Sequence, residues 1–181
     1  MKLLLHICCG PCALYPVREL LDKKFDKITG FYYNPNIHPP SEYKRRKDAL
    51  EAASAKIGFE VIYPPYKMEE YFRKIFCRDA VCCTPAERCS LCWELRLSET
   101  ASFAKTNGFD AFTTTLLISP YQDHEKVKKI GEKIAGEKGI QFYYQDFRPG
   151  FRDGQEQAKK ENLYRQKYCG CVFSELERVK V

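Results

Sequence analysis

Apolar positions along the chain follow two alternating spacings. Short apolar runs at Lys2 to Ile7, Ile28 to Tyr33, Glu60 to Tyr63, Ala111 to Leu117 and Ile140 to Tyr144 read as strands. Between them the apolar residues recur at helical period. Cys12 to Leu21 puts Leu14, Val17 and Leu21 on one face; Ser41 to Ile57 takes Ser41 as its N-cap; Met68 to Phe76 follows. Ser90 to Lys105 is stopped by Asn107-Gly108, and His124 to Glu137 places Val127, Ile130 and Ile134 on one face.

Strands alternating with helices predict βαβ units and a mostly parallel sheet. The expected fold is α/β: a three-layer sandwich around five strands, Rossmann-like, with the order 3-2-1-4-5 of nucleotide alpha-hydrolase-like proteins taken as an assumption. The alternation stops at Arg148-Pro149-Gly150, so residues 1–150 form the core and 151–181 a helical tail within a single domain spanning 1–181. In such sheets ligands bind beyond the carboxyl ends of the strands, where strand order reverses. Cys8 and Cys9 lie at that end of the first strand, and the segment Ile118 to His124 is the expected neighbour across the crevice.

The ten cysteines change the picture most. They fall into tight groups: Cys8, Cys9 and Cys12; Cys77, Cys82 and Cys83; Cys89 and Cys92; Cys169 and Cys171. Core packing alone would scatter them, and disulfide frameworks belong to small secreted domains with weak cores. Clustered thiols point to metal or redox chemistry.

Cys89-Ser90-Leu91-Cys92, running into a helix, lets two thiolates reach one metal or cluster, as structural zinc, a redox dithiol or an iron-sulfur ligand pair. It supplies half of a four-thiolate shell, and Cys8-Cys9 is the first choice for the other half. Cys9-Gly-Pro-Cys12 repeats the two-residue spacing at a helix start, where amides favour thiolate. Cys12 there binds a second metal or faces substrate. Asp79 among Cys77, Cys82 and Cys83 sets a hard carboxylate beside soft thiolates, a mixed donor set for a single iron or zinc; the plainer reading is buried thiols. Cys169-Gly170-Cys171 closes as a small, strained and easily reduced disulfide, or supplies further metal ligands. His124, beside the crevice, is a candidate ligand or acid, whereas His38 and His6 read as ordinary hydrogen-bonding or packing groups.

Composition adds limits. The apolar start Met1 to Cys8 is interrupted by His6 and broken by Gly10-Pro11, and no run approaches the roughly 18 apolar residues of a membrane span. A cytoplasmic protein with reduced thiols is expected. The net charge of +6 includes runs at Lys44-Arg45-Arg46-Lys47 and Lys126-Val127-Lys128-Lys129, each read first as a solvated helix face.

Four motifs in order make the chain recognisable: His6-Ile7-Cys8-Cys9-Gly10-Pro11-Cys12; Cys89-x-x-Cys92; Thr113-Thr114-Thr115-Leu116-Leu117-Ile118-Ser119-Pro120-Tyr121-Gln122; and Tyr164-Arg165-Gln166-Lys167-Tyr168-Cys169-Gly170-Cys171. Together they resemble the cobalamin-independent epoxyqueuosine reductase family of QueH type. The resemblance implies an oxidoreductase of the last step of queuosine synthesis, reducing the epoxide of epoxyqueuosine at the wobble position of tRNA to the alkene. It implies a [4Fe-4S] cluster on Cys8, Cys9, Cys89 and Cys92, and a redox-active pair in Cys169 and Cys171. A further mononuclear iron would take ligands among Cys12, Cys82, Cys83 and Asp79.

Under this resemblance Asp79, His124 or water supplies protons, an external donor supplies electrons, and Lys44 to Lys47 with Arg165 and Lys167 contact phosphates. An ATP-pyrophosphatase-like tRNA-modifying enzyme stays an alternative, although Cys-Cys-Gly-Pro-Cys stands where such proteins carry a Ser-Gly-Gly-type phosphate loop. A zinc-stabilised RNA-binding module and a thiol-disulfide exchanger using Cys9 and Cys12 are the others.

Overall fold

The computed structural model describes residues 1–76 and 84–178. Five parallel strands, β1 (Lys2–His6), β2 (Lys27–Phe31), β3 (Val61–Ile62), β4 (Ala111–Thr114) and β5 (Gln141–Phe142), form one sheet in the order β3-β2-β1-β4-β5. The expected order is the observed one. Leu3, Leu4 and Leu5 of the central strand are fully buried between helices on both sides of the sheet, which is why the strand reads as a continuous apolar run.

α1 (Gly10–Leu21) packs against α2 (Pro40–Ile57) and α6 (Phe151–Lys160), while α4 (Pro85–Thr106) packs against α3 (Met68–Phe76) and α5 (His124–Lys138). α7 (Val172–Leu176) is the last described element. Gly10 lets α1 meet α2 closely: a Cβ there would stand 2.9 Å from the Ala49 carbonyl oxygen. Among the described residues no helix is long and apolar enough to cross a membrane.

Several boundaries differ from the pattern, each for a local reason. β4 ends at Thr114, because its hydroxyl accepts the Leu116 amide (3.1 Å) and turns the chain into a 3-10 turn over Thr115–Ile118. α2 is capped by Pro39 with no side-chain bond, so Ser41 is not the N-cap. α4 begins five residues before the expected Ser90, at Pro85, where Thr84 and Glu87 form a reciprocal capping box. Cys89 and Cys92 therefore both sit inside the helix. The tail is helical only in part: after α6 an irregular strap, residues 161–171, crosses the carboxyl ends of the strands before α7.

Candidate active site

Strand order reverses between β1 and β4, and their register pairs His6 with Thr114. The residues that follow therefore face each other across the crevice. The Cys8 amide donates to Thr115 Oγ1 (3.0 Å), and the Thr115 hydroxyl donates to Cys8 Sγ (3.3 Å). The threonine run is thus a positioning device. Thr114 turns the chain and meets His6 Nδ1 (2.8 Å), and Thr115 holds the first thiol.

Cys9 caps α1 in extended backbone and Cys12 lies in the first turn, so the helix start returns a third thiol to the first two. The Sγ atoms of Cys8, Cys9 and Cys12 all lie within 4.8 Å of one another. The Cys12 thiol, and after it the Cys9 thiol, hold the Cys8 thiol well below the ordinary range. Burial pushes Cys9 up, and its bond to Cys8 keeps Cys12 protonated. One thiolate solvated by two thiols is a compact set of soft donors, which fits a thiophilic metal or an iron-sulfur cluster.

Cys89 and Cys92, three residues apart on α4, face Cys169 and Cys171 instead. These four line a cavity of about 20 Å3 with Asn36, Tyr71, Arg88 and Trp93. Burial raises Cys89 to about 11 and Cys92 to about 12. Asn36 Oδ1, the Tyr71 hydroxyl and Arg88 Nε are buried without a hydrogen-bond partner among the described residues. Unsatisfied polar atoms beside four thiols are costly unless something fills the space. The seven described cysteines, all free, thus form two groups: Cys12 joins Cys8 and Cys9, and the Cys89 pair joins the tail.

The strap is held from beneath by Arg46. Although part of a basic run, Arg46 is only 2% exposed. Its Nε donates to Glu42 Oε1 (2.8 Å), and its Nη1 and Nη2 donate to the carbonyls of Cys169 (2.9 Å) and Tyr168 (3.1 Å). Arg46 therefore contacts no phosphate, contrary to the expectation for Lys44 to Lys47. Its i,i+4 relation to Glu42 was the available signal. Tyr164 donates to Glu42 Oε2 (2.6 Å), the His38 amide donates to the Gly170 carbonyl (2.8 Å), and the Tyr168 hydroxyl donates to the His38 carbonyl. His38, read as ordinary, supports the tail.

Three further residues were not singled out as site residues by the sequence, although Gln122 and Gln166 lie within its motifs. Gln166 Nε2 lies 2.9 Å from Cys9 Sγ, and Gln122 Nε2 lies 3.7 Å from Cys169 Sγ while its Oε1 accepts from Trp93. Arg96, 2% exposed, donates to Asn34 Oδ1 (2.7 Å) and to His6 Nε2 (3.3 Å). His6 Nε2 also lies 3.2 Å from the Tyr33 carbonyl. Burial, and then Arg96, lowers His6 to about 3, so the ring is neutral.

A larger cavity of about 660 Å3 opens over the strap, with Cys12 and Cys169 in its wall beside Tyr121, Phe151, Arg165 and Gln166. It touches both thiol groups. His124 hydrogen-bonds the Tyr144 hydroxyl (2.9 Å) and lines neither cavity. Asp79, Cys82 and Cys83, with Cys77, lie outside the described residues.

Residues 3–177 match the family model of epoxyqueuosine reductase QueH. The chain belongs to the QueH family. Membership makes it an oxidoreductase. A relative from Dehalococcoides mccartyi, named epoxyqueuosine reductase QueH, is 40% identical over 98% of this chain and 94% of its own length. One of the same name from Thermotoga maritima is 36% identical over 97% of this chain and 91% of its own. Among solved structures, the U34-tRNA thiolase NcsA from Methanococcus maripaludis with its [4Fe-4S] cluster aligns at a TM-score of 0.44. It is 13% identical over 89% of this chain and 66% of that one, too distant to bear on function.

Proposed function

We propose that this chain reduces epoxyqueuosine at the wobble position of tRNA to queuosine, the last step of queuosine synthesis. Family membership over residues 3–177 carries the reading, and the two groups of cysteines, both reaching the cavity over the strap, support it. The reaction consumes two electrons and two protons. Both epoxide C–O bonds break, a C=C bond forms, and the oxygen leaves as water.

In this reading Cys8 and Cys9 with Cys89 and Cys92 hold a [4Fe-4S] cluster. Cys12, with Asp79, Cys82 or Cys83, remains for a further iron. Two observations support a fit: the three-thiol group with its lowered Cys8 thiol, and the unsatisfied polar atoms around the second group. Bound there, iron supplies one-electron transfer and Lewis acidity toward an epoxide oxygen.

The chain's own residues do the rest. The cavity over the strap admits one unstacked base, with Tyr121, 84% exposed, and Phe151 as stacking surfaces. Gln166 restrains Cys9 and Gln122 restrains Cys169. Cys169 and Cys171 hold two electrons as a dithiol, and their closure to a disulfide releases both electrons and both protons. An external reductant reopens the pair. That closure relieves His124 of acid duty.

The test is anaerobic purification with iron, sulfide and zinc counted per chain, followed by assay on tRNA carrying epoxyqueuosine. About four iron and four sulfide, with queuosine formed, is the expected result. Stoichiometric zinc after reconstitution with iron and sulfide, and no queuosine, would overturn it.

A further inference from the structure

A second cavity of about 570 Å3 lies on the α2 side of the strap, lined by Ser41, Arg45, Tyr164 and Glu175 together with Lys167, Tyr168 and Arg178. The last three also line the cavity that reaches the thiols. The strap is thus a common wall between two spaces, one with thiols and one without.

The second cavity gathers three cations in one wall, Arg45, Lys167 and Arg178, beside a basic run on α2 whose lysines are neutralised. Lys44, Lys47, Lys56, Lys126 and Lys133 each pair with a carboxylate. Arg45, Lys167 and Arg178 are exposed and make no ion pair among the described residues. Glu42, at the cavity floor, has both oxygens taken by Arg46 and Tyr164, so it does not repel an anion. The Arg45 guanidinium lies 5.9 Å from the Tyr164 ring centroid, and Arg46 lies 5.2 Å from that of Tyr168. Unpaired cations beside aromatic rings made rigid from below are the components of a single-stranded nucleic-acid site.

We propose that the α2-side cavity is a second nucleotide subsite, taking the nucleotide next to the modified one, with the phosphate between them held at Lys167 and Arg178. The inference rests on the reading of tRNA as substrate. It assigns Arg45 to the neighbouring nucleotide and makes the strap the divider between two splayed bases. Glu175 offers the cavity an acceptor for a base amino group.

The experiment is a binding cycle on the anaerobic, metal-loaded protein, because binding is read without turnover. Affinity is measured by anisotropy for an anticodon stem-loop and for the same stem-loop made abasic on either side of the wobble position. Native protein and Arg45→Ala are compared, with Lys138→Ala as a distant exposed cation. One of the two abasic changes is expected to weaken binding to native protein about tenfold, and Arg45→Ala to weaken the intact stem-loop similarly. Combining them should cost little more than either alone. Equal loss with Lys138→Ala, or losses from Arg45→Ala and both abasic changes that simply multiply, would overturn the subsite. Failure of native protein to prefer the stem-loop over an unrelated hairpin, with no queuosine formed, would instead overturn the tRNA reading.

Discussion

Arg96 stands one turn beyond Cys92 on α4, with Nη1 4.0 Å from the Cys92 sulfur. Its guanidinium also meets the neutral Asn34 and His6, and no carboxylate pairs with it among the described residues. The same charge adds to the lowering of Cys8 by Cys12 and Cys9 and offsets part of the rise that burial gives Cys92, so it reaches both cysteine groups. A buried cation without a carboxylate costs several kcal/mol unless an anion is nearby. Thiolates, free or metal-bound, are the anions at hand.

Arg96→Gln is therefore expected to separate two states. In metal-free protein, where one thiolate is ionised, the change should cost little. In loaded protein it should remove about 3 kcal/mol and move the reduction potential in the negative direction, because a cation favours the more anionic, reduced state. Urea unfolding with and without metal, and a redox titration, check this. An unchanged potential in a loaded variant would count against it.

Arg46 and Glu42 should behave as a unit. Arg46→Met leaves the buried Glu42 carboxylate without its cation, with Tyr164 as its one side-chain donor, and leaves two strap carbonyls without their Arg46 donor, and about 3–5 kcal/mol is expected to be lost. Adding Glu42→Gln should restore part of that loss. Equilibrium unfolding of both single variants and the double variant measures the coupling, and simple additivity would speak against the clamp.

Gly170 separates the two tail cysteines at φ +136. An added Cβ would lie 3.1 Å from both Arg46 Nη1 and Ile37 Cγ1. Gly170→Ala is expected to cost about 2 kcal/mol from backbone strain and to displace Cys169 and Cys171 from their cavity. Thermal unfolding measures the first effect. The rate at which an oxidant closes the pair measures the second, and native values for both would refute the expectation.

His124 predicts a pH dependence. Burial, and then the Arg148 guanidinium, lowers its folded-state pKa below the usual value of 6.5. The unfolded chain takes up a proton that the folded chain refuses, so this contribution to stability is present above about pH 6.5 and lost as pH falls below it. The urea midpoint should fall more steeply between about pH 7.5 and 5.5 in native protein than in His124→Gln. Parallel profiles would show that His124 does not contribute.

The periodicity of apolar residues determined the α/β class, the five strands and the position of Cys8 and Cys9 at the end of β1. These follow from local spacing, which a single sequence displays. The motifs from His6 to Cys12 and from Tyr164 to Cys171 carried the family, because side-chain chemistry and spacing are both written in the chain. Which cysteines meet was decided only by the tertiary structure. α4 starts early at its Thr84–Glu87 capping box and carries Cys89 and Cys92 to the tail, while the turn into α1 returns Cys12 to Cys8 and Cys9. Arg46 and Arg96 show the same division. On paper they are two more basic residues in a chain of net charge +6. Folding buries one under the strap and the other between thiols, since burial depends on which surfaces the sheet and helices bring together.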